Sequence, residues 1–288
     1  MDIERRFPRR VVIENTTACN ARCLFCPREK LTRKIETMEF DVFRKLLDDC
    51  VAAGSKKLSL HNFGEPLVDK NLAEKVRYAK SKGVEETFIV TNASLLTPER
   101  SEELIEAGID RIKISFQGIT KEEYESFHVN LNYEESVCNV EQLVDAKRRH
   151  GGAKPKIIIR YMGRPLDFIT FWRRWRRLKP HLSIIPGRFH NYSTGRSYNP
   201  ISNVRRPNFM KSCRYVKRPV VYILVNGDVV PCCYDFNGVL NMGNALEQSI
   251  SEIWNGEKFK AFRLAHKRHE FNKYPICAGC DKLNYILI

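Results

Sequence analysis

The sequence predicts an α/β protein: a parallel sheet covered by helices, followed by a smaller metal-binding part. Two observations lead to this prediction. From residue 10 to about residue 187, short apolar segments alternate with amphipathic segments, as strands alternate with helices in such folds. Beyond residue 213 the pattern changes to a hairpin signal and then a cysteine-rich end. Repeated strand–helix units favour parallel strands joined by right-handed crossovers.

Six strand–helix units are predicted. The strands are residues 11–14, 57–61, 87–91, 111–115, 156–161 and 182–186. The helices are residues 41–53, 71–82, 98–107, 133–150 and 167–178. Thr97 and Pro98 form a helix-start signal, and three helices end near glycines suited to left-handed caps, namely Gly54, Gly83 and Gly108. Six units fit a partial (β/α)6 barrel of the TIM-like type, which places its chemistry at the carboxyl ends of the strands.

The second part of the chain follows an aperiodic segment. Residues 188–212 are rich in Gly, Asn, Ser and Pro, so we predict a linker or lid there. Asn226-Gly227 is typical of a hairpin turn, and a helix is predicted over residues 249–266. The expected domains are therefore 1–187, a linker at 188–212, and 213–288.

Composition excludes several classes of protein. The chain has 288 residues, 49 Lys+Arg against 34 Asp+Glu, and ten cysteines. It has no apolar run long enough for a membrane-spanning helix, and its N-terminus does not resemble a secretory signal. We therefore expect a cytoplasmic protein whose cysteines bind metal or carry redox chemistry instead of forming disulfides. The basic excess suits an anionic substrate, a nucleic acid or solubility, and the arginine-rich helix near residue 175 is read as a solvated face. Nucleic acid and membrane partners are not expected.

Three cysteines directly after the first strand form the first cysteine group: Cys19, Cys23 and Cys26. Their spacing is C-x3-C-x2-C. Three thiolates on one loop can hold three irons of a [4Fe–4S] cluster and leave the fourth open for a ligand. A zinc loop or incidental cysteines are the alternatives, but structural zinc would normally require a fourth Cys or His in the same loop.

The segment CNARCLFC after the first strand resembles the radical S-adenosylmethionine (SAM) superfamily. The resemblance implies that SAM chelates the open iron. An electron from the cluster then cleaves SAM to methionine and a 5′-deoxyadenosyl radical, which removes a hydrogen atom from the substrate. An external electron donor such as flavodoxin or ferredoxin is implied as a partner.

The resemblance also implies a set of SAM contacts. Gly64-Glu65-Pro66 resembles the family's G-G-E motif, although Asn62-Phe63 replaces the usual preceding glycine. Arg160 could bind the SAM carboxylate or a substrate oxygen, or could form an ordinary surface pair. The expected cofactor-binding residues are Phe25, Gly64, Glu65, Pro66, Asn92, Ser115, Gln117 and Arg160.

Four more cysteines form the second cysteine group: Cys213, Cys232, Cys277 and Cys280. Four thiolates would saturate one cluster, although zinc can take the same ligands. The spacing C-x13-G-x4-C, followed later by C-x2-C, resembles the SPASM/Twitch auxiliary-cluster domains of radical SAM enzymes. No further cysteine follows Cys280, so the resemblance is to the Twitch form with one auxiliary [4Fe–4S] cluster.

The leading functional hypothesis is an oxidoreductase. The architecture is similar to that of aminocyclitol dehydrogenases in the superfamily, which implies a carbohydrate-like small-molecule substrate. The auxiliary cluster would then accept the second electron of a dehydrogenation. The residues considered for catalysis are His61, Arg160 and Cys233.

Two alternatives stay open. An epimerase would need a thiol as hydrogen donor, and three cysteines are spare, namely Cys50, Cys138 and Cys233. Of these, Cys50 and Cys138 are expected to be buried apolar residues. A peptide-modifying maturase is expected to need a leader-binding domain, for which ten residues before the first strand leave no room. A non-catalytic metal- or RNA-binding protein is the alternative from another class.

Overall fold

The computed structural model describes residues 6–151, 154–164, 166–187, 189–192, 194, 213–217 and 219–280. Most of the predicted linker at 188–212 lies outside these residues.

The described part of the chain contains eleven strands. They are β1 (Arg10–Ile13), β2 (Arg22–Cys23), β3 (Lys57–Ser59), β4 (Glu86–Thr91), β5 (Arg111–Ser115), β6 (His128–Val129), β7 (Lys156–Tyr161), β8 (Leu182–Pro186), β9 (Val221–Ile223), β10 (Asp228–Val230) and β11 (Gly243–Asn244). Nine of them form one sheet in the order β11-β10-β9-β1-β3-β4-β5-β7-β8, and β2 pairs with β6.

All six predicted strands are present and neighbour one another in chain order. β1, β3, β4, β5, β7 and β8 pair in parallel throughout. Among the described residues the ladders form an open sheet that does not close into a ring. The prediction of an α/β fold with a parallel sheet is therefore confirmed.

Ten α-helices occur in the described residues: α1 (Phe40–Ala52), α2 (Leu72–Ser81), α3 (Pro98–Glu106), α4 (Lys121–Phe127), α5 (Tyr133–Arg149), α6 (Asp167–Trp175), α7 (Arg214–Lys217), α8 (Ile250–Asn255), α9 (Glu257–Lys267) and α10 (Pro275–Ala278). The prediction of one helix over 249–266 is wrong. Gly256, in extended conformation with φ −70° and ψ 163°, separates α8 from α9. The sequence analysis also missed α4 and the short β2–β6 ladder.

Strand residues alternate between two faces of the sheet. One face packs against the helices and contains core residues such as Val11, Leu58 and Ile89. The opposite face, which we call the inner face, carries strand residues most of which are only partly buried. Its members include Arg10, Lys57, Glu86, Phe88, Val90, Arg111, Lys113, Ser115, Ile158 and Arg160.

The second part of the chain extends the same sheet. β9 pairs in parallel with β1, and β10 pairs antiparallel with β9. The turn between them contains Gly227 at φ +86°, as the hairpin prediction requires. The backbone N–H of Ile250, which begins α8, donates to Asp49 of α1 at 2.6 Å.

The arginine-rich helix behaves as predicted. Phe171 and Trp175 are each only 1% exposed, whereas Arg173 and Arg174 are exposed on the other side. None of the described helices is long and apolar enough to span a membrane.

Candidate active site and cluster sites

The first cysteine group lies on the loop that leaves the carboxyl end of β1. The loop is held at its base, where the backbone N–H of Thr17 donates to the carbonyl of Glu36 at 2.9 Å. Within it, the N–H of Cys26 donates to the carbonyl of Cys23 at 3.0 Å. Cys23 itself pairs with His128 across the β2–β6 ladder.

The three thiols of this group share one small, poorly solvated region. Burial raises the pKa of each thiol, that of Cys26 to about 12. The neighbouring cysteines Cys26 and Cys19 raise the pKa of Cys23 further. Three thiolates in such a place need cationic charge between them, because burial and mutual repulsion both oppose ionisation. The donor set therefore fits three irons of an iron–sulfur cluster.

The turn at Gly64 lies directly against the cysteine loop. A Cβ at Gly64 would lie 2.4 Å from the carbonyl oxygen of Thr16 and 2.6 Å from that of Ala18. The next backbone N–H, that of Glu65, donates to the same Ala18 carbonyl at 2.9 Å. Glycine is therefore required here for close contact between two backbone segments.

The carboxylate of Glu65 is buried and accepts three hydrogen bonds. Its donors are the hydroxyl of Thr91 at 2.7 Å, the N–H of Asn92 at 2.8 Å and the N–H of Leu67 at 3.1 Å. Burial nevertheless raises the pKa of Glu65 to about 7, because desolvation outweighs those bonds. Pro66 follows in a short 3-10 turn, and its carbonyl accepts from Asn15 at 3.1 Å.

Asn92 joins the end of β4 to the cysteine loop. Its Nδ2 donates to Oδ1 of Asn20 at 3.1 Å, and Asn20 immediately follows Cys19. Its Oδ1 accepts from the hydroxyl of Ser94 at 2.7 Å. The predicted SAM contacts near β3 and β4 are thus collected around the first cysteine group.

Ser115, Gln117 and Arg160 lie together at the carboxyl ends of β5 and β7. Ser115 and Arg160 are register partners in the parallel ladder. Nε2 of Gln117 donates to the carbonyl of Arg160 at 3.3 Å, and no described residue pairs with its buried Oε1. These residues thus lie at the sheet edge where the resemblance expects SAM.

Phe25 packs beside the first group together with His128. The sequence analysis did not identify His128. Nδ1 of His128 lies 3.4 Å from Sγ of Cys23, and Nε2 accepts the N–H of Gln117 at 3.2 Å. The ring of Phe25 meets that imidazole edge-on at 5.1 Å. Burial lowers the pKa of His128 to about 3. A lone histidine outside any predicted element carries no sequence signal for this role.

His61 follows β3, where the alternation of that strand places it on the inner face. Its ring meets Phe88 edge-on at 4.9 Å, and its buried Nδ1 has no hydrogen-bond partner in the described chain. Burial lowers the pKa of His61 to about 3, and the nearby Lys113 lowers it further.

The second cysteine group is also brought together. Burial raises the pKa of Cys232, and the neighbouring Cys233 and then Cys277 and Cys280 raise it further. The pKa of Cys277 is raised by burial and then by Cys213 and Cys280. Four thiols from three segments thus lie within electrostatic range of one another, a donor set that fits one fully ligated cluster. Nε2 of His266, which the sequence analysis also missed, lies 3.4 Å from Sγ of Cys277.

The spare cysteines occupy three different environments. Cys50 is buried in α1, as predicted. Cys138 is exposed on α5, so the prediction that it is buried is wrong; it lies on the solvent side of that helix. Sγ of Cys233 lies 3.2 Å from the hydroxyl of Tyr215 and packs in a cluster with Val12 of β1.

A buried ion pair connects the segments that carry the two groups. Arg33, which follows the first group, makes two hydrogen bonds of 2.8 and 2.9 Å with the fully buried carboxylate of Glu14. Its Nε donates to the carbonyl of Phe236, four residues after Cys232, at 2.6 Å. Phe236 in turn stacks on Phe63 at 4.6 Å.

Comparison with known proteins agrees with these two sites. The profile of the radical SAM superfamily matches residues 13–194, and that of the SPASM iron–sulfur cluster-binding domain matches residues 213–281. The chain is 26% identical over 284 residues to the S-adenosyl-L-methionine-dependent 2-deoxy-scyllo-inosamine dehydrogenase of Niallia circulans. That alignment covers 95% of this chain and 93% of the relative.

Other similarities span most of the chain. The tungsten-containing aldehyde ferredoxin oxidoreductase cofactor-modifying protein of Pyrococcus furiosus is 25% identical, with 93% of this chain and 86% of that protein covered. The structure of BtrN in complex with AdoMet and 2-DOIA has a TM-score of 0.68 at 22% identity, covering 98% of both chains. Streptococcus suis SuiB bound to precursor peptide SuiA has a TM-score of 0.71 at 15% identity, covering 97% of this chain and 71% of that one.

The superfamily profile matches more than half of the chain. One site is formed by the cysteine loop, the Gly64 turn and the polar ends of β4, β5 and β7. The SPASM match covers all four cysteines of the second group. SAM and a [4Fe–4S] cluster are therefore the cofactors of the main part, with an auxiliary iron–sulfur cluster in the second part. The chain belongs to the radical SAM superfamily.

Proposed function

We propose that this enzyme oxidises an alcohol of a carbohydrate-like or aminocyclitol substrate by two electrons, with the auxiliary cluster as electron acceptor. The observation that carries the proposal is the second cysteine group. Its four thiols converge beside a strand pair that extends the sheet of the SAM site. A cluster with four protein ligands suits electron transfer, because it has no open iron for substrate. The similarity to an aminocyclitol dehydrogenase over almost the whole chain supports the same reaction.

We assign the bound groups as follows. The first cysteine group holds the cluster that chelates SAM, and the second group holds the auxiliary cluster. When bound, SAM and its cluster supply a radical that removes a hydrogen atom from the substrate carbon. The substrate then loses one proton and one electron more, which completes a two-electron oxidation. The proposed SAM contacts are Phe25, Gly64, Glu65, Pro66, Asn92, Ser115, Gln117 and Arg160.

The inner face supports substrate binding next to that site. Arg160 and Ser115 lie on it at the carboxyl ends of their strands, and His61 lies in line with it after β3. His61 is neutral at physiological pH, because burial lowers its pKa to about 3. Its buried Nδ1 has no hydrogen-bond partner among the described residues, so it can accept a hydrogen bond from a substrate hydroxyl. We propose His61 as a catalytic candidate that accepts a hydrogen bond from the substrate alcohol, and Arg160 as the residue that orients a substrate or SAM oxygen.

The overall organisation is part of the proposal. Residues 1–187 would form the partial TIM-like barrel, 188–212 the linker or lid, and 213–288 the auxiliary domain. A flavodoxin or ferredoxin would deliver the first electron. Ten cysteines with no disulfide among them suit a reducing, cytoplasmic location.

One observation favours an alternative. Cys233 is a spare thiol that is half-buried, and it packs against the apolar cluster that contains Val12, a residue of β1 on the inner face. A thiol placed there is a candidate hydrogen-atom donor for an epimerase. The hydroxyl of Tyr215 at 3.2 Å would hold it in place.

The experiment uses anaerobically reconstituted enzyme with SAM, a reductant and a panel of aminocyclitols, including 2-deoxy-scyllo-inosamine. We expect 5′-deoxyadenosine and an oxidised product in equal amounts with at least one member. The matched variant Cys280→Ala removes one ligand of the auxiliary cluster, so it should keep SAM cleavage and lose the oxidised product. Undiminished product from Cys280→Ala would contradict the acceptor role, and no turnover with any aminocyclitol would contradict the substrate class.

A further inference from the structure

Each cysteine group has one thiol in contact with a buried histidine. Nδ1 of His128 lies 3.4 Å from Sγ of Cys23, and Nε2 of His266 lies 3.4 Å from Sγ of Cys277. Both histidines belong to the buried polar residues, at 0% and 6% exposure. The chemical meaning of each contact depends on which ring nitrogen carries the hydrogen.

For His128 the geometry decides the tautomer. The backbone N–H of Gln117 donates to Nε2 at 3.2 Å. A backbone amide can only donate through its nitrogen, so Nε2 must present a lone pair and the hydrogen of the neutral ring is on Nδ1. Nδ1–H therefore donates to Sγ of Cys23.

The ring of His128 is held in this orientation by its neighbours. It stacks on Tyr124 at 4.5 Å with an interplanar angle of 26°, and Phe25 meets it edge-on. The backbone is held as well, because Cys23 and His128 are partners in the β2–β6 ladder. The N–H of Leu24 also donates to the carbonyl of Phe127 at 3.0 Å. Rotation of the imidazole away from the thiol would break its ring contacts with Tyr124 and Phe25 and the bond from the N–H of Gln117 together.

A different observation leads to the same result for His266. Its Nδ1 is buried and has no hydrogen-bond partner in the described part of the chain, while Nε2 faces Sγ of Cys277. A buried N–H without an acceptor is costly, so the favoured tautomer places the hydrogen on Nε2, where sulfur accepts it. Phe262 at 4.3 Å and Phe271 at 5.0 Å pack around the ring.

We propose that His128 and His266 are positioning residues that donate a hydrogen bond to a cluster thiolate and thereby raise the reduction potential of the cluster that each group holds. One-electron reduction by the external donor adds negative charge to the cluster. An N–H directed at a ligand sulfur stabilises that charge, so the reduced form gains more than the oxidised form. The inference rests on the cluster ligands alone and goes beyond the proposed alcohol oxidation.

The test of His128 uses a matched pair of variants. In His128→Asn the amide nitrogen can occupy the place of Nδ1 and keep the donor to Cys23. In His128→Gln the longer amide can keep the acceptor for Gln117 but presents no donor at the Nδ1 position. The measurement is the midpoint potential of the first cluster in a redox titration followed by electron paramagnetic resonance, without substrate. The first cluster is recognised by the change of its signal when SAM is added.

We expect His128→Gln to shift the potential to more negative values and His128→Asn to leave it near that of the wild type. For His266 the expected effects of Asn and Gln are exchanged, because the donor is Nε2. The amide nitrogen of Gln can occupy the place of Nε2, whereas that of Asn cannot. His266→Gln should keep the potential of the auxiliary cluster, and His266→Asn should lower it. Equal shifts for Asn and Gln at the same site, or no shift in either, would overturn the proposal.

A measurement on the unsubstituted enzyme guards against variants that fail to fold. With ¹⁵N-labelled histidine, the reduced first cluster should show a weak nitrogen hyperfine coupling, as expected for a hydrogen bond and not for an iron ligand. The absence of that coupling would contradict the contact itself. Because no substrate is present in either measurement, failure here is distinct from failure of the proposed oxidation.

Discussion

Gly64→Ala is the substitution for which the structure defines the consequence most clearly. The added Cβ would lie 2.4 Å from the carbonyl oxygen of Thr16, whereas carbon–oxygen contacts are normally about 3.3 Å or longer. The cysteine loop and the Gly64 turn would therefore have to separate by about 0.9 Å. That movement would break the bond of 2.9 Å from the N–H of Glu65 to Ala18.

The magnitude follows from two contributions. Overpacking costs about 1–3 kcal/mol, and the lost hydrogen bond costs about 1 kcal/mol. We expect the free energy of unfolding to fall by about 2–4 kcal/mol, and the melting temperature to fall by about 2–4 °C for each of these kcal/mol. Because the displaced backbone carries the first cysteine group, the iron content after reconstitution should also fall from about eight toward about four per chain.

Gly83→Ala is the matched control. Gly83 has φ +79° and no atom within 4 Å of an added Cβ. Its substitution costs about 1–2 kcal/mol from backbone strain alone, without touching the cysteine loop. Iron content and SAM binding should therefore be unchanged in Gly83→Ala and reduced in Gly64→Ala. Wild-type iron content and SAM affinity in Gly64→Ala would refute the argument that this turn supports the cluster loop.

Three further outcomes are expected. Replacing all three cysteines of the first group by alanine should halve the iron measured per chain and abolish SAM cleavage, and full iron content would contradict their role. Arg33→Met strands the buried Glu14 carboxylate, so denaturant unfolding should show a loss of about 3–5 kcal/mol, and Glu14→Gln in the same chain should recover part of it. Burial lowers the pKa values of three histidines, His61, His128 and His266, to about 3, 3 and 4. In the unfolded state their pKa is about 6.5, so below that pH the unfolded state binds more protons than the folded state. Stability to urea should therefore fall as pH drops from 7 to 5, and fall less in His61→Leu; equal losses would contradict the burial of His61.

The parallel sheet was predictable because its pattern is local. Three strands have the predicted bounds, β5, β7 and β8, since each is a continuous apolar segment between clear turn signals. The cysteine groups were equally accessible, because their spacing within each segment is a local property. The break between α8 and α9 was missed because the helical period continues through Gly256, where the backbone turns to extended conformation.

The contacts that tune the site could not be predicted. His128 lies 105 positions from Cys23 in the chain, and their contact depends on a short ladder and a helix, α4, too short to give a clear period. Glu14 directly follows β1, and a polar residue at the end of a strand is common, so the sequence gives no sign of its buried ion pair. Its role appears only when Arg33 and the second part of the chain are brought to it.

The central claim is that the substrate is oxidised and not epimerised, and the mass of the product formed in D2O tests it directly. Oxidation turns the attacked carbon into a carbonyl, so the product should be lighter than the substrate by two hydrogen atoms and carry no deuterium at that carbon. Hydrogen return from a thiol would instead give a product that has one stable C–H replaced by C–D. Deuterium incorporation that disappears in Cys233→Ala would contradict the dehydrogenase and establish Cys233 as the hydrogen donor of an epimerase.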